Sequence, residues 1–301
     1  MRSRGRGDCG MIAGVSGIYD EPELYELACA YRDIPAEVTA LLAWCASYFT
    51  GGAGEAGAGD GPGVSSALEL AAGPAEHARE LARRGLRATT LDLSPAMCAY
   101  AAAQAKAAGV DLRVVEADMR DFAIAGPGDT RAAFDLAITM LNSACHLFTL
   151  DDLVRHLIAV RASLVPGGLY IVELAHPADF FDRVPRTSSE WTVDAPGVRA
   201  EVRWGGRTDR IDPVTQVTRE HMTITATSAD GTIRTVSDVV PNRFWTLTEF
   251  TAAVELANAR TAAAGAPPGS LDLVATYGDF DEGTPLDAPS AWRMILILRR
   301  S

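Results

Sequence analysis

Lysine is nearly absent from this 301-residue chain, with Lys106 as its only example. Schiff-base chemistry is thereby limited to one candidate, which sits in an alanine-rich stretch that reads as an exposed helix. Positive charge is scarce altogether: 27 basic residues face 39 acidic ones, for a net charge of -12. Without a Lys/Arg tract the electrostatic footprint of a polynucleotide binder is missing, so no nucleic-acid partner is expected. Cys-x-x-Cys pairs are also lacking. The five cysteines, Cys9, Cys29, Cys45, Cys98 and Cys145, are scattered and odd in number. Neither a disulfide framework nor a metal site is expected, and a reducing cytoplasm fits. No run approaches the roughly 20 apolar residues of a membrane span. The arginine- and glycine-rich start, Met1 to Gly10, reads as neither signal peptide nor anchor, and Met11 is an alternative start.

What is present is ordinary globular material, 48% hydrophobic and 22% charged. From Tyr19 to Phe49 apolar residues recur at helical spacing, and a glycine-alanine tract from Gly51 to Gly63 follows as a connector. Strands and helices then alternate. Strands are expected at Ala67–Leu70, Ala88–Leu93, Leu112–Glu116, Phe134–Met140 and Leu169–Leu174, with helices at Ala75–Arg84, Pro95–Ala108 and Leu150–Leu164. This order gives an α/β core with a parallel sheet covered on both faces. Between Trp191 and Val240 the texture becomes Val/Thr/Ile/Arg-rich with period two, which predicts three or four antiparallel strands inserted into that order. Thr246 and Glu249 form a capping-box pair opening a helix to about Arg260. Two last strands, Leu271–Tyr277 and Trp292–Leu298, have no helix between them and must pair antiparallel or lie apart. The organisation that follows is a flexible N-terminus (1–18), a helical lid (19–50), a linker (51–63), a core (64–178 and 246–301) and a β cap (179–245).

Three signals fall at the carboxyl ends of adjacent strands, where open α/β sheets bind ligands. The first is the small-residue turn Ala71-Ala72-Gly73-Pro74-Ala75, which lets a ligand approach helix-terminal amides. The second is Asp92, about 20 residues on, where an acidic group accepts from a ribose diol. An aspartate there also serves simply as part of the Ser94 helix cap. The third is Asp118-Met119, a carboxylate for an exocyclic amine beside a soft apolar surface for a purine. Jointly they point to an adenosine-containing cofactor.

On Leu68-Glu69-Leu70-Ala71-Ala72-Gly73-Pro74-Ala75, Leu91-Asp92-Leu93-Ser94-Pro95-Ala96-Met97, Ala117-Asp118-Met119 and Leu164-Val165-Pro166-Gly167-Gly168, the chain resembles the class I S-adenosylmethionine-dependent methyltransferases. The resemblance implies a Rossmann-like seven-stranded sheet with an antiparallel last strand. It implies S-adenosylmethionine as cofactor and S-adenosylhomocysteine as product. Glu69, Ala71 and Gly73 would surround the methionyl part, Asp92 would take the ribose, Leu93 and Met97 would flank the adenine, and Asp118 and Met119 would meet its amine edge, with Met140 completing the set. Alanines 71 and 75 replace two customary glycines.

The segment with Tyr19, Tyr25, Tyr31 and Arg32 looks like the lid of small-molecule methyltransferases, placing a tyrosine near the sulfonium and Arg32 on the cofactor carboxylate. Equally spaced tyrosines are also what plain helix packing produces. If the acceptor must lose a proton, Glu173, His146 and His176 are the candidate bases, with Tyr19 or Tyr25 as relay. Asn142 and the cap residues Trp191, Trp204, Arg243 and Phe244 are expected to line an acceptor pocket, the cap aromatics serving equally well as a homodimer face. A β insertion here resembles sugar-amine N-methyltransferases and indole C-methyltransferases. The expected function is methylation of a small metabolite on an amine or an indole carbon. The rival readings are a nicotinamide-dependent oxidoreductase and a non-catalytic cofactor binder of the same fold.

Overall fold

The computed structural model describes residues 17–51, 63–124, 133–181, 189–267 and 269–301. Most of the expected N-terminal flexible segment (1–16) and of the linker (52–62) lies outside these residues. Seven strands form the main sheet: β1 (Ser66–Leu70), β2 (Arg87–Asp92), β3 (Leu112–Glu116), β4 (Phe134–Thr139), β5 (Leu164–Ala175), β10 (Leu271–Tyr277) and β11 (Arg293–Arg300). Their order is β10-β11-β5-β4-β1-β2-β3, with β11 antiparallel to both neighbours and the other pairings parallel. β1 is an interior strand between β4 and β2, and all five of its residues are buried, as in a strand covered on both faces.

The helices are α1 (Pro22–Cys29), α2 (Ile34–Tyr48), α3 (Glu76–Arg83), α4 (Pro95–Ala108), α5 (Leu150–Ser163), the short α6 (Ala178–Phe181) and α7 (Leu247–Ala263). Local chemistry sets their ends. Ser94 caps α4 by accepting from Met97 N at 3.2 Å, and Gly109 closes it in the left-handed region at φ 67°. Thr246 and Glu249 form the expected capping box on α7. Packed with the sheet, α5 and α7 build one hydrophobic core on Leu153, Leu157, Phe250 and Val254; α2 and α3 build another on Val38, Leu41, Trp44 and Leu81.

One expectation changes at the N-terminus. The stretch read as a single helical pattern is a 3-10 turn (Ile18–Asp20), then α1, then a break before α2. The break has a cause: Pro35 follows immediately, and Asp33 caps the new helix by accepting from Ala36 N at 3.0 Å. Its consequence is that Arg32, in the break, turns a 1%-exposed side chain inward.

The inserted region is a separate antiparallel sheet in the order β6 (Ser189–Ala195), β7 (Val198–Trp204), β8 (Val217–Ser228), β9 (Ile233–Arg243). Its inner face packs on the lid: Ile18, Leu24 and Ala28 share a core with Val202, Met222, Ile224 and Val240. Lid and cap thus bury each other's apolar sides. Between β1 and β4 the strand order reverses, because β2 and β3 are laid to one side and β4 and β5 to the other. A crevice opens at the carboxyl end of such a switch point. No helix among the described residues is long and apolar enough to cross a membrane.

Candidate active site

A cavity of about 930 Å³ occupies this crevice, running from the β1–α3 turn and the end of β2 to the cap. Its floor is the turn after β1, where Ala71 (φ 49°), Gly73 (φ 54°) and Ala75 (φ 59°) all take left-handed backbone. A side chain added at Gly73 would enter the space bordered by a Tyr25 ring carbon (3.8 Å) and the Met97 sulfur (3.9 Å). The missing Cβ is therefore cavity volume that a ligand can use. The alanines pay for the same conformation with about 1–2 kcal/mol of steric strain each. Ala71→Gly is expected to raise the urea midpoint by an amount equivalent to about 1 kcal/mol. A lowered midpoint would show that the Ala71 methyl contributes packing that outweighs its strain.

Asp92 accepts from Gly73 N at 2.7 Å and from Ser94 N at 2.8 Å, so the carboxylate is fixed by both flanking turns. Burial pushes its carboxyl above the ordinary value, opposed by these backbone hydrogen bonds. Each oxygen retains a lone pair, the arrangement that a vicinal diol requires. Leu93 stands 64% exposed at the rim, while Met97 and Met119 are buried and present apolar walls. Asp118 holds the Arg120 backbone N (2.8 Å) and its Nε (2.7 Å). The Arg120 guanidinium keeps the Asp118 carboxyl below its usual range. A set of diol acceptor, small-residue turn and apolar slot fits an adenosyl cofactor. Tyr31, Arg32, Glu69 and Met140 line the same cavity.

Glu173 is not the free base that its strand-end position suggested. Arg32 Nη1 and Nη2 reach its two oxygens at 3.3 and 2.9 Å, Arg293 forms an ion pair with Oε1, and Leu141 N donates to Oε2 at 2.8 Å. A buried carboxylate held by two guanidiniums and an amide is a structural counter-charge. Arg32, expected on the cofactor carboxylate, also gives Nε to both oxygens of Glu37 at 3.0 and 3.1 Å. Glu37 bonds His77 Nε2 at 2.8 Å, and His77 Nδ1 lies 3.4 Å from Glu69, whose other oxygen accepts from Ala78 N at 2.7 Å. Three carboxylates and three basic groups thus interlock beneath the cavity.

Burial lowers the His77 pKa, but hydrogen bonds to Glu37 and Glu69 outweigh it and raise the group above 6.5. Stability from the protonated ring is complete below that value and is lost as pH rises through the folded one. The melting temperature is expected to fall from pH 6 to pH 8.5. His77→Asn should flatten the fall, and an unchanged slope would contradict the assignment.

At the cap end, Tyr19 Oη lies 3.0 Å from His146 Nε2, and the Tyr19 ring sits 5.6 Å from the Tyr25 ring. Tyr25 packs edge-on to Trp204 (6.3 Å), which stacks on Trp191 (6.4 Å), and Tyr31 abuts Trp191 (5.7 Å). Asn142 lines the cavity and accepts from Ala175 N at 3.1 Å. Three expected residues do not line the cavity. His176 caps α6, with Nε2 on the Leu286 carbonyl (2.9 Å) and Nδ1 accepting from Ala178 N (3.2 Å). Arg243 lies over Trp245 at 3.8 Å and donates to the Phe148 carbonyl, and Phe244 packs on Phe180 at 4.6 Å. These last two sit where β9 turns into α7 and pack in that corner, away from the cavity wall.

Glu37, His77, Arg293 and Glu220 were not among the expected site residues. Glu220 had a signal: it falls in the buried phase of β8 with Thr218, Met222, Ile224 and Ala226. A carboxylate in an apolar register asks for a partner or a task.

Residues 67–168 match the family model described as a methyltransferase domain. No curated protein matches the sequence significantly. Among solved structures, an S-adenosylmethionine-dependent methyltransferase from Clostridium acetobutylicum superposes with TM-score 0.67 at 16% identity, covering 94% of this chain and 96% of its own. The sugar N-methyltransferase KedS8 from Streptoalloteichus has TM-score 0.62 at 20% identity over 99% and 98% of the two chains. The amino pentose methyltransferase CalS10 from Micromonospora echinaspora has TM-score 0.62 at 21% identity over 92% and 97%. The sheet with its antiparallel last strand and the cavity at its switch point agree with these likenesses: the chain has the fold of the S-adenosylmethionine-dependent methyltransferases that it superposes on, and its residues 67–168 match a methyltransferase domain.

Proposed function

We propose that the chain transfers a methyl group from S-adenosylmethionine to a small metabolite, with an amine nitrogen as the favoured acceptor. The observation that carries this reading is the continuity of the cavity, from Asp92 at one end to Trp191, Trp204 and Glu220 at the other. About 930 Å³ accommodates a nucleoside-sized cofactor together with a small acceptor. Two structural neighbours, named for sugar and amino pentose methylation, support an amine by analogy of architecture.

When bound, the cofactor supplies an electrophilic methyl group. The chain's own contribution is to position the acceptor and exclude water. His146 hydrogen-bonds the Pro241 carbonyl, which only accepts, so that ring nitrogen carries the proton and Nε2 is left to accept from Tyr19 Oη. Burial pushes the His146 pKa down and the Tyr19 pKa up, so both groups are neutral at pH 7. The Tyr19 oxygen keeps a lone pair for an acceptor N–H and so fixes where the nitrogen stands. Tyr19→Phe is expected to lower kcat by about 10- to 100-fold while leaving S-adenosylhomocysteine affinity unchanged. Unchanged kcat would remove Tyr19 from the site's chemistry.

The second reading, an indole carbon, draws on the aromatic wall of Tyr25, Tyr31, Trp191 and Trp204. Incubation with methyl-labelled S-adenosylmethionine and panels of small amines and indoles tests both. Label on nitrogen is the expected result, and label on a ring carbon favours the second reading. Cofactor binding without transfer to any acceptor contradicts both and favours a non-catalytic role.

A further inference from the structure

Among the described residues, no counter-charge pairs with one carboxyl at the acceptor end of the cavity. Glu220 is 7% exposed. Its Oε2 accepts from Trp204 Nε1 at 3.1 Å and Asn242 Nδ2 at 2.5 Å. No hydrogen bond from the described residues reaches Oε1, and the side chain lines the cavity. Among the described residues no basic side chain pairs with it. Trp204 on β7 and Asn242 on β9 bond it, Asp209 in the β7–β8 loop and Cys145 in the 3-10 turn after β4 lie within electrostatic reach, and Asp238, His146, Tyr19 and Tyr25 line the same cavity; the neighbouring His221 pairs with Asp209. The basic side chains lining the cavity are engaged elsewhere: Arg32 and Arg293 by Glu173, Arg120 by Asp118, and His77 by Glu37 and Glu69.

A buried carboxylate without a counter-charge is costly until a cation meets it. Trp191, Trp204, Tyr19 and Tyr25 line the same cavity, and aromatic rings attract positive charge. An ammonium group satisfies both demands, whereas a hydroxyl or an uncharged indole carbon satisfies neither. Resting on the methyl-transfer reading above, we propose that Glu220 recognises the acceptor: Oε1 pairs with its ammonium form and takes the proton that the nitrogen must lose before methylation. The balance closes. The N–H proton passes to Oε1, the freed lone pair forms the N–CH3 bond, and the electron pair of the broken S–CH3 bond stays on sulfur. The methylated nitrogen leaves as a cation, and Glu220 returns its proton to solvent. Burial, against the hydrogen bonds from Asn242 and Trp204, pushes the carboxyl up to about 7, which suits a group that must take and release a proton near neutrality.

The test uses calorimetry at pH 8 on the S-adenosylhomocysteine-loaded chain. The probes are methyl aminopyranosides with their hydroxyl parents, and tryptamine with its alcohol counterpart. The wild type is expected to bind amines at least tenfold more tightly than the parents. Glu220→Gln should lose at least tenfold in amine affinity, keep its S-adenosylhomocysteine affinity within twofold, and so report its own fold. A ligand-free readout accompanies it. A carboxyl raised on folding costs stability progressively as pH rises from its ordinary value through its folded one. Glu220→Gln should therefore melt higher than wild type at pH 8 and no higher at pH 5. Equal binding of the hydroxyl parents, undiminished amine binding by the variant, no amine binding by the wild type, or the same melting difference at both pH values would overturn the proposal. Failure of the wild type to bind S-adenosylhomocysteine would instead strike the methyl-transfer reading itself.

Discussion

Replacing Asp92 with alanine is expected to weaken S-adenosylhomocysteine binding by about a hundredfold. Two losses combine. A carboxylate hydrogen-bonded to a ligand hydroxyl contributes about 1.5–3 kcal/mol, and every 1.4 kcal/mol is a factor of ten. The variant also strips Gly73 N and Ser94 N of their acceptor, so the turn that forms the cavity floor loses its tie to the end of β2. Asp92→Asn keeps the side-chain shape and one acceptor oxygen, and its loss should be the smaller of the two. Calorimetric titration of both variants measures the difference. Affinity unchanged in the alanine variant would mean that the ribose does not sit against Asp92.

Glu173→Ala is expected to cost about 3–5 kcal/mol of folding stability, the usual penalty for leaving a buried charge uncompensated. Removing this carboxylate leaves Arg32 and Arg293 facing each other, both with side chains at most 6% exposed. Burial and the Arg32 charge already push the Arg293 pKa down to about 10. A second change, Arg293→Met in the same chain, should recover part of the loss by removing the cation that has lost its close partner, since Arg32 keeps Glu37. Urea unfolding of the single and double variants tests this. A free catalytic base would behave otherwise: Glu173→Gln would leave stability intact and abolish turnover.

The contrast between Asp92 and Glu173 shows where the sequence was legible. Asp92, Gly73 and Met97 take positions set by neighbours in the chain, since a strand end, a tight turn and a helix cap are local devices. The parallel core of the sheet was readable for a similar reason, because alternating strands and helices give a parallel sheet; the order of its strands was not read. Glu173 was equally visible as a strand-end carboxylate, but its role depends on Arg32 and Arg293, which are 141 and 120 positions away. Nothing local announces such a pairing. The break at Arg32 was masked because helical periodicity continues across it, and only the Asp33 cap and Pro35 betray the interruption. His176 and Arg243 had side chains of the right chemistry beside the right strands, and were claimed by a helix cap and a tryptophan face. Glu220 is the opposite case, a residue that the period-two pattern of β8 exposes once the register of the strand is taken seriously.

An adenosyl cofactor at the switch point of the sheet is the central claim, and one measurement addresses it most directly. Calorimetric titration of the purified wild-type chain with S-adenosylhomocysteine and, separately, with NADH should show one equivalent of the former bound and no heat from the latter. Binding of NADH without binding of S-adenosylhomocysteine would contradict the account at its centre.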